Sequence, residues 1–262
     1  MGSCAADTGD ALPEGSGMIT DKYRFADTTI QISSSYERVH LLCKAYRTDD
    51  EYASLSVQIS QDDIHFERAM MGREDQFVNQ PARNYPDSYL ESLAVYRKIA
   101  ERMPAFDTFL MHGSCIAVDG EAYLFTAKSG TGKSTHTRLW RQLFGDRALM
   151  VNDDKPLIRV TQDGAEAFGT PWDGKHRLST NISVPLKGVC ILERAERNSI
   201  RKITAGEAYP MLLQQIYRPL NAAAMTKTLQ LIDRMTSTVP LWRLGCNMDP
   251  EAAKVASEAM KG

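Results

Sequence analysis

The seven residues Ser129–Thr135 (SGTGKST) constrain this chain more than any other stretch. They follow an apolar run, EAYLFT (121–126), and precede a helical pattern through Leu139, Trp140 and Leu143 that ends at Gly145. A strand that turns through glycines straight into a helix gathers the helix's unpaired N–H groups and its positive dipole end at one point, where an anion binds. Starting from Ala127, the stretch fits G-x-x-x-x-G-K-[ST] except at its first position, where alanine replaces glycine. A methyl group is tolerated there if φ is negative. The glycines let backbone N–H groups converge on phosphate oxygens, Lys133 can reach β- and γ-phosphates, and the Ser134 hydroxyl can ligate Mg2+. Ser129, Gly130, Thr131, Gly132, Lys133, Ser134 and Thr135 therefore form the expected nucleotide cradle, with ATP and Mg2+ as cofactors.

A loop of this type needs an acidic partner from another strand. ALMVN (148–152) reads as a buried strand and closes on Asp153-Asp154, twenty residues beyond Lys133. Two adjacent carboxylates suit two tasks, one on Mg2+ and one accepting a proton from a hydroxyl. The same pair in isolation serves equally as a turn or helix cap. His112 closes an apolar run just ahead of the segment that delivers the loop. It is either a core histidine or, from a strand neighbouring 121–126, a donor to the γ-phosphate or an orienter of an aspartate. GTPWDGKHRL (169–178) gathers Lys175, His176 and Arg177 beside Trp172. That loop is either solvated or a clamp on an anionic substrate, with Lys175 and Arg177 as the substrate candidates. Lys128, His136, Arg138, Arg141 and Lys155 are near the expected phosphates in sequence, and most of them are expected at the surface.

The rest of the chain supplies a scaffold. Residues 1–18 read as a flexible tail without a signal-peptide pattern, and Ala6 stands where a myristoylation start needs Ser or Thr. Residues 19–71 read as a β-rich segment with strands at Thr28–Ser33, Val39–Ala45 and Ser54–Ile59. Gly72–Pro86 reads as a loop, and a helix follows with Ser88 and Glu91 as a capping box and an apolar stripe through Tyr89, Leu93, Tyr96, Ala100 and Met103. Residues 85–262 form the expected catalytic domain. Asp119-Gly120 and Asp163-Gly164 mark hairpins, the stretch 169–181 reads as too polar for core, and Val189–Glu193 and Val239–Leu244 as strands. Ala205–Tyr217 and Asn221–Met235 read as helices, the second with a core-facing stripe, and Asp249-Pro250 opens a last one.

Composition excludes more than it suggests. The 262 residues carry 31 Lys+Arg against 33 Asp+Glu, a formal charge of −2, which gives no basic face for nucleic acid. No apolar stretch has the length of a membrane span. Five scattered cysteines (Cys4, Cys43, Cys115, Cys190, Cys246) form no zinc or redox pair and suit free thiols in a cytoplasmic protein.

The combination LMHGSCIAVDG (110–120), SGTGKST (129–135) and VNDD (151–154) resembles the catalytic domain of HPr kinase/phosphorylase. It is still more similar to the HPr kinase-related proteins of unassigned substrate, which share the P-W-x-G-K stretch seen at Pro171–Lys175. The same nucleotide core occurs in ATP-dependent phosphoenolpyruvate carboxykinase. The resemblance covers about residues 85–195. It implies an α/β core of mixed sheets with flanking helices, preceded by the N-terminal β-rich segment, and phosphoryl transfer with ATP and Mg2+. It assigns Lys133 and Ser134 to nucleotide and metal, the pair Asp153-Asp154 to the catalytic and metal aspartates, and His112 to the family's upstream histidine; of the pair, Asp153 is taken as the base and Asp154 as the metal ligand, the reverse order remaining open. The chain is about half the length of the carboxykinase, which sets that reaction aside.

The expected activity is thus an ATP- and Mg2+-dependent kinase acting on a hydroxyl of a peptide, small protein or small molecule. Relatives in peptide natural-product clusters phosphorylate a serine of a precursor peptide, which makes that one substrate class. The rival is a nucleotide-binding regulatory protein or pseudokinase without turnover. Neither nucleic acid nor membrane is an expected partner, and the sequence is compatible with a homo-oligomer.

Overall fold

The computed structural model describes residues 17–77, 81 and 83–262. All but two residues of the expected tail, and Cys4 with them, lie outside that range. The chain divides into two units, one of residues up to Arg24 with Thr28–Ile99 and one of Phe25–Asp27 with Ala100–Gly262.

The first unit is built on β1 (Ile19–Phe25), β2 (Thr28–Ser34) and β3 (Leu55–Gln58), in the order β1-β2-β3 with β2 and β3 parallel. Ile30 and Ile32 of β2 and Val57 of β3 are buried, as their alternation requires. Three helices accompany the sheet: α1 (Glu37–Leu42), α2 (Gln61–Phe77) and α3 (Asp87–Arg102). The expected strand over Val39–Ala45 is therefore a helix followed by a 3-10 turn. A short apolar run has no period of its own, and here burial of Val39 and Cys43, one helical turn apart, decides it. The His40 ring lies between the Tyr23 hydroxyl (2.8 Å) and the Ser34 hydroxyl (2.9 Å).

The expected loop at 72–86 is helical as far as Phe77, and residues 78–80 and 82 lie outside the described ones. Asp75 of α2 is buried and accepts from the Arg83 backbone N–H and guanidinium, which a polar sequence reads as loop but a paired charge permits in a helix. In α3 the buried stripe is Leu90, Ala94 and Ile99 rather than Tyr89, Leu93 and Tyr96, which are half-buried. Ser88 lies inside α3, which begins at Asp87, instead of at its N-cap, and the Glu91 carboxylate accepts from the N–H groups of Ser35 (2.6 Å) and Tyr36 (2.9 Å).

The second unit is a nine-stranded mixed sheet. In chain order it holds β4 (Thr108–Leu110), β5 (Ser114–Val118), β6 (Glu121–Thr126), α4 (Lys133–Phe144) and β7 (Ala148–Asn152). Next come β8 (Leu157–Val160), β9 (Ala165–Phe168), β10 (Ser183–Arg194) and β11 (Ser199–Lys202), then α5 (Ala205–Gln215) and α6 (Ala222–Thr238). β12 (Leu241–Cys246) and α7 (Glu251–Lys261) close the chain. The strand order is β4-β8-β9-β10-β6-β5-β7, with β12 on β10 and β11 on β12. β10 is much longer than expected from Val189–Glu193. Its first three residues pair antiparallel with β9, and it then runs parallel to β6 and β12. β11, which the sequence did not single out, covers the outer edge of β12.

Strand alternation divides the apolar residues between two faces. Leu124, Val151, Ile191, Leu212 and Leu231 pack on the face of α5 and α6, and Tyr123, Phe125, Trp140, Cys190 and Ala256 on that of α4 and α7. Covering both faces is what makes β5 and β6 apolar nearly throughout. The β5–β6 hairpin turns at Asp119 (φ 55°) and Gly120 (φ 83°), the paired positive φ values of a type I′ turn. β8 and β9 pair around Asp163-Gly164 as expected. α5 opens on a capping box, Thr204 with Glu207, and α6 on the Asn221 side chain. Among the described residues no helix is long and apolar enough to cross a membrane.

The polar stretch 169–181 is not all surface, contrary to its composition. Residues 169–173 are buried, 174–177 and Asn181 are exposed, and 178–180 are half-buried. Gly169 threads between backbone carbonyls: a Cβ there would fall 1.9 Å from Thr180 O and 2.8 Å from Val151 O. Gly169→Ala should therefore destabilise the protein by about 3 kcal/mol or more, a fall in Tm of roughly 6–12 °C by calorimetry. An unchanged melting curve would show that the backbone yields there.

Candidate functional site

β6 ends at Thr126, and the chain turns through Ala127–Gly132 into α4. Gly130 (φ 75°) and Gly132 (φ 120°) both take the left-handed backbone that the turn requires, while Ala127 does not, so its methyl is accommodated without strain. Gly132 is the N-cap of α4 and supplies no side chain to its N–H groups, which leaves them open at the helix mouth. Ser129, Gly130 and Ser134 are exposed; Thr131, Lys133 and Thr135 are half-buried. Lys133 Nζ donates back to Ala127 O at 3.0 Å. Burial lowers its pKa, and the charges of Asp154 and Asp153 counter that in part.

The two aspartates are held differently. Asp153 is almost fully buried, and its Oδ1 accepts from the Ser114 hydroxyl at 2.6 Å. Asp154 faces two nitrogen groups: His112 Nε2 lies 3.2 Å from Oδ1, and Lys155 Nζ lies 3.3 Å from Oδ2. Burial opposes its charge, but the His112 hydrogen bond and the Lys155 and His112 charges outweigh that and hold its carboxyl below the usual range. The turn itself is shaped by the buried Asn152. Its Oδ1 accepts from the N–H groups of Asp154 (2.8 Å) and Lys155 (2.6 Å), and its Nδ2 donates to Thr170 O and Oγ1 at 3.0 Å.

His112 reaches Asp154 by another route than expected. Its strand, β4, pairs with β8 and does not adjoin β6 in the sheet. The chain leaves β4 and crosses to β5, so His112 passes beside the end of β6, where Thr126 Oγ1 donates to His112 O at 2.9 Å. Gln215, at the end of α5, fixes it further. Its backbone carbonyl accepts from His112 N (2.6 Å), and its Oε1 lies 2.9 Å from Nδ1. With Gln215 on one ring nitrogen, the other points at Asp154.

The structure thus brings Lys133, Asp153, Asp154 and His112 together. Lys175 and Arg177 stay exposed on the 174–177 loop, which approaches the site through Gly174 (φ 74°), where a Cβ would lie 3.3 Å from Asp154 Cβ. Residues that the sequence reading passed over are Ser114, Asn152, Gln215, Asp173 and Arg194. Asp173 is buried, accepts from Ser179 Oγ at 3.0 Å, and is raised in pKa by burial. Arg194 closes β10 beside β6, and its guanidinium donates to Gly130 O at 2.5 Å. Parallel neighbours ending at one sheet edge are the signal for it, legible only once the strand order is known. Among the described residues no group of three or more His, Cys, Asp or Glu forms a metal cage. Ser134 with one carboxylate suits Mg2+, which keeps waters and substrate phosphates as its other ligands.

The fold defines a mixed α/β protein with helices on both faces of its larger sheet and its charged site at the common edge of β6 and β10. A family model described as "SynChlorMet cassette protein ScmC" matches residues 88–250, well over half of the chain, and the chain belongs to that family. No curated protein matches it. Among solved structures it is similar to the Hpr(Ser) kinase/phosphatase from Coxiella burnetii, at 10% identity over 58% of this chain and 99% of that one, with a TM-score of 0.34.

His136, expected at the surface, is buried in the second turn of the loop's own helix. The Trp140 indole N–H donates to its Nε2 at 3.0 Å, Phe125 packs edge-on to the ring, and burial pushes its pKa down to about 4. The unfolded chain takes up this proton near 6.5, the folded one only near 4. Stability should be fully present above about pH 6.5 and fall by roughly 3 kcal/mol as pH drops to 4. In His136→Gln, which keeps an acceptor for the indole, urea titrations across that range should lose this component. An undiminished slope would place the proton elsewhere.

Proposed function

We propose that the protein is an ATP- and Mg2+-dependent kinase that transfers the γ-phosphate to a hydroxyl group of a peptide, a small protein or a small molecule. The observation that carries this reading is the meeting of Lys133, at an uncapped glycine-loop helix start, with a buried carboxylate, Asp153, that has one oxygen committed to Ser114. The open N–H groups of α4 bind phosphate oxygens, and Lys133 balances their charge. Asp153 takes the proton from the attacking hydroxyl through its other oxygen, which accepts from no side chain among the described residues. His112, aligned by Gln215, steadies Asp154. Ser134 and Asp154 would hold Mg2+, which neutralises phosphate charge when bound. Catalysis by such a set is positioning and charge neutralisation.

Both oxygens of Asp154 already have side-chain partners, His112 and Lys155, the observation that favours a second reading, nucleotide binding without turnover. Transfer of labelled γ-phosphate from ATP to candidate acceptors separates the two. Asp153→Asn should lower transfer by about 10²–10⁴-fold while leaving the Kd for Mg-ATP within about twofold. Transfer at the wild-type rate in that variant would remove Asp153 as the base. Arg194→Ala, which frees the Gly130 carbonyl, should weaken Mg-ATP binding by roughly tenfold in a fluorescence titration. Unchanged affinity would make that contact incidental.

A further inference from the structure

Two buried hydroxyls join parts of the site that a kinase would use at different moments. Ser114 is fully buried and Thr137 is 1% exposed, and their oxygens lie 2.9 Å apart. Ser114 Oγ is also 2.6 Å from Asp153 Oδ1. A hydroxyl has one hydrogen, and an ionised carboxylate only accepts. The Ser114 hydrogen therefore goes to Asp153, and the Ser114 oxygen accepts from Thr137. The carbonyls of Lys133 and Ser134, at 3.4 and 3.3 Å, are the weaker acceptors for Thr137. The order is Thr137 to Ser114 to Asp153, with every donor pointing at the carboxylate.

The position of Ser114 explains why it can make this link. β5 lies between β6, which feeds the glycine loop, and β7, which feeds the aspartates. Ser114 is its first residue, and the preceding Gly113 N–H donates to Asp154 O at 3.0 Å. Alanine and valine would fill the two sites without a polar atom to desolvate, so the hydroxyls are stabilising there only as a bonded pair.

We infer that Ser114 and Thr137 are positioning residues that make the Asp153 carboxylate and the second turn of α4, next to the helix mouth, one mechanical unit. Occupation of the phosphate-binding helix mouth then fixes the orientation of the proton acceptor. The catalytic consequence rests on the kinase reading above; the coupling itself does not.

The full chain tests both parts. Without nucleotide, Asp153→Ala should speed hydrogen exchange of the second-turn amides of α4, which begin with the His136 N–H bonded to Gly132 O, by at least about threefold, and should do so only when Ser114 is present, not in a Ser114→Ala background. Equal acceleration in both backgrounds, or none in either, overturns the coupling whatever the protein does with ATP. With Mg-ATP and an acceptor, Ser114→Ala and Thr137→Val should each lower kcat about 10- to 100-fold with KM for ATP within about twofold. The double variant should be no worse than the poorer single one. Thr137→Ser, which keeps the hydroxyl, should recover to within about threefold of wild type. Losses that multiply, or that track melting temperature with Thr137→Ser as poor as Thr137→Val, overturn the positioning role. If the wild type transfers no phosphate, the kinase reading falls and the exchange experiment still decides the coupling.

Discussion

The strands that carry the glycine loop and the aspartate pair do not touch; β5 pairs with both. Because β5 is antiparallel to each of them, β6 and β7 run in the same direction and end at the same edge of the sheet, where β5 begins. The rest of the site depends on that ladder. It sets Lys133 and Asp153 on neighbouring crests and leaves the start of β5 as the place from which a side chain can reach either. The chain achieves this with the tightest available connection between β5 and β6, a two-residue type I′ turn, and with α4 returning over the sheet to β7.

Within that frame the charges are arranged in opposed pairs instead of a field of one sign. Lys133 is drawn toward neutrality by burial and held back by two carboxylates, while Asp154 is drawn toward protonation by burial and held back by His112 and Lys155. A nearly neutral cluster is stable without a ligand. A highly charged ligand of the kind proposed would compete with every one of these partnerships. The formal charge of −2 for the whole chain says nothing of this, because the relevant charges number fewer than ten and act over a few ångströms.

Much of the larger unit was legible in the sequence where local chemistry decides the outcome. Asp119-Gly120 demands positive φ and obtains it; Gly130 and Gly132 do the same, and Gly145 ends α4. What failed was decided by distant partners. Val39–Ala45 became helical because one helical face is buried, and Glu91 was diverted from its own helix by the amides of Ser35 and Tyr36. Composition misled at 169–173, where polar and glycine residues are buried because Thr170 and Asn152 satisfy each other. In the candidate site, the motif residues were found and their supports were not. Gln215 lies 103 residues from His112 in sequence, and Ser114 lies 39 from Asp153. No periodicity links such pairs, and only the strand order does.

The departure at Ala127 has a mechanical meaning. Its methyl is fully buried in the cluster that holds Phe125, Leu139 and Trp140, and its backbone is not left-handed. Glycine at that point would act as a swivel between strand and loop, sampling states that an incoming ligand must suppress. Alanine acts as a fixed post and confines bending to the residues that follow. Part of the ordering that binding would otherwise require is thus completed when the protein folds, which favours fast capture of a ligand over accommodation of ligands of different shapes.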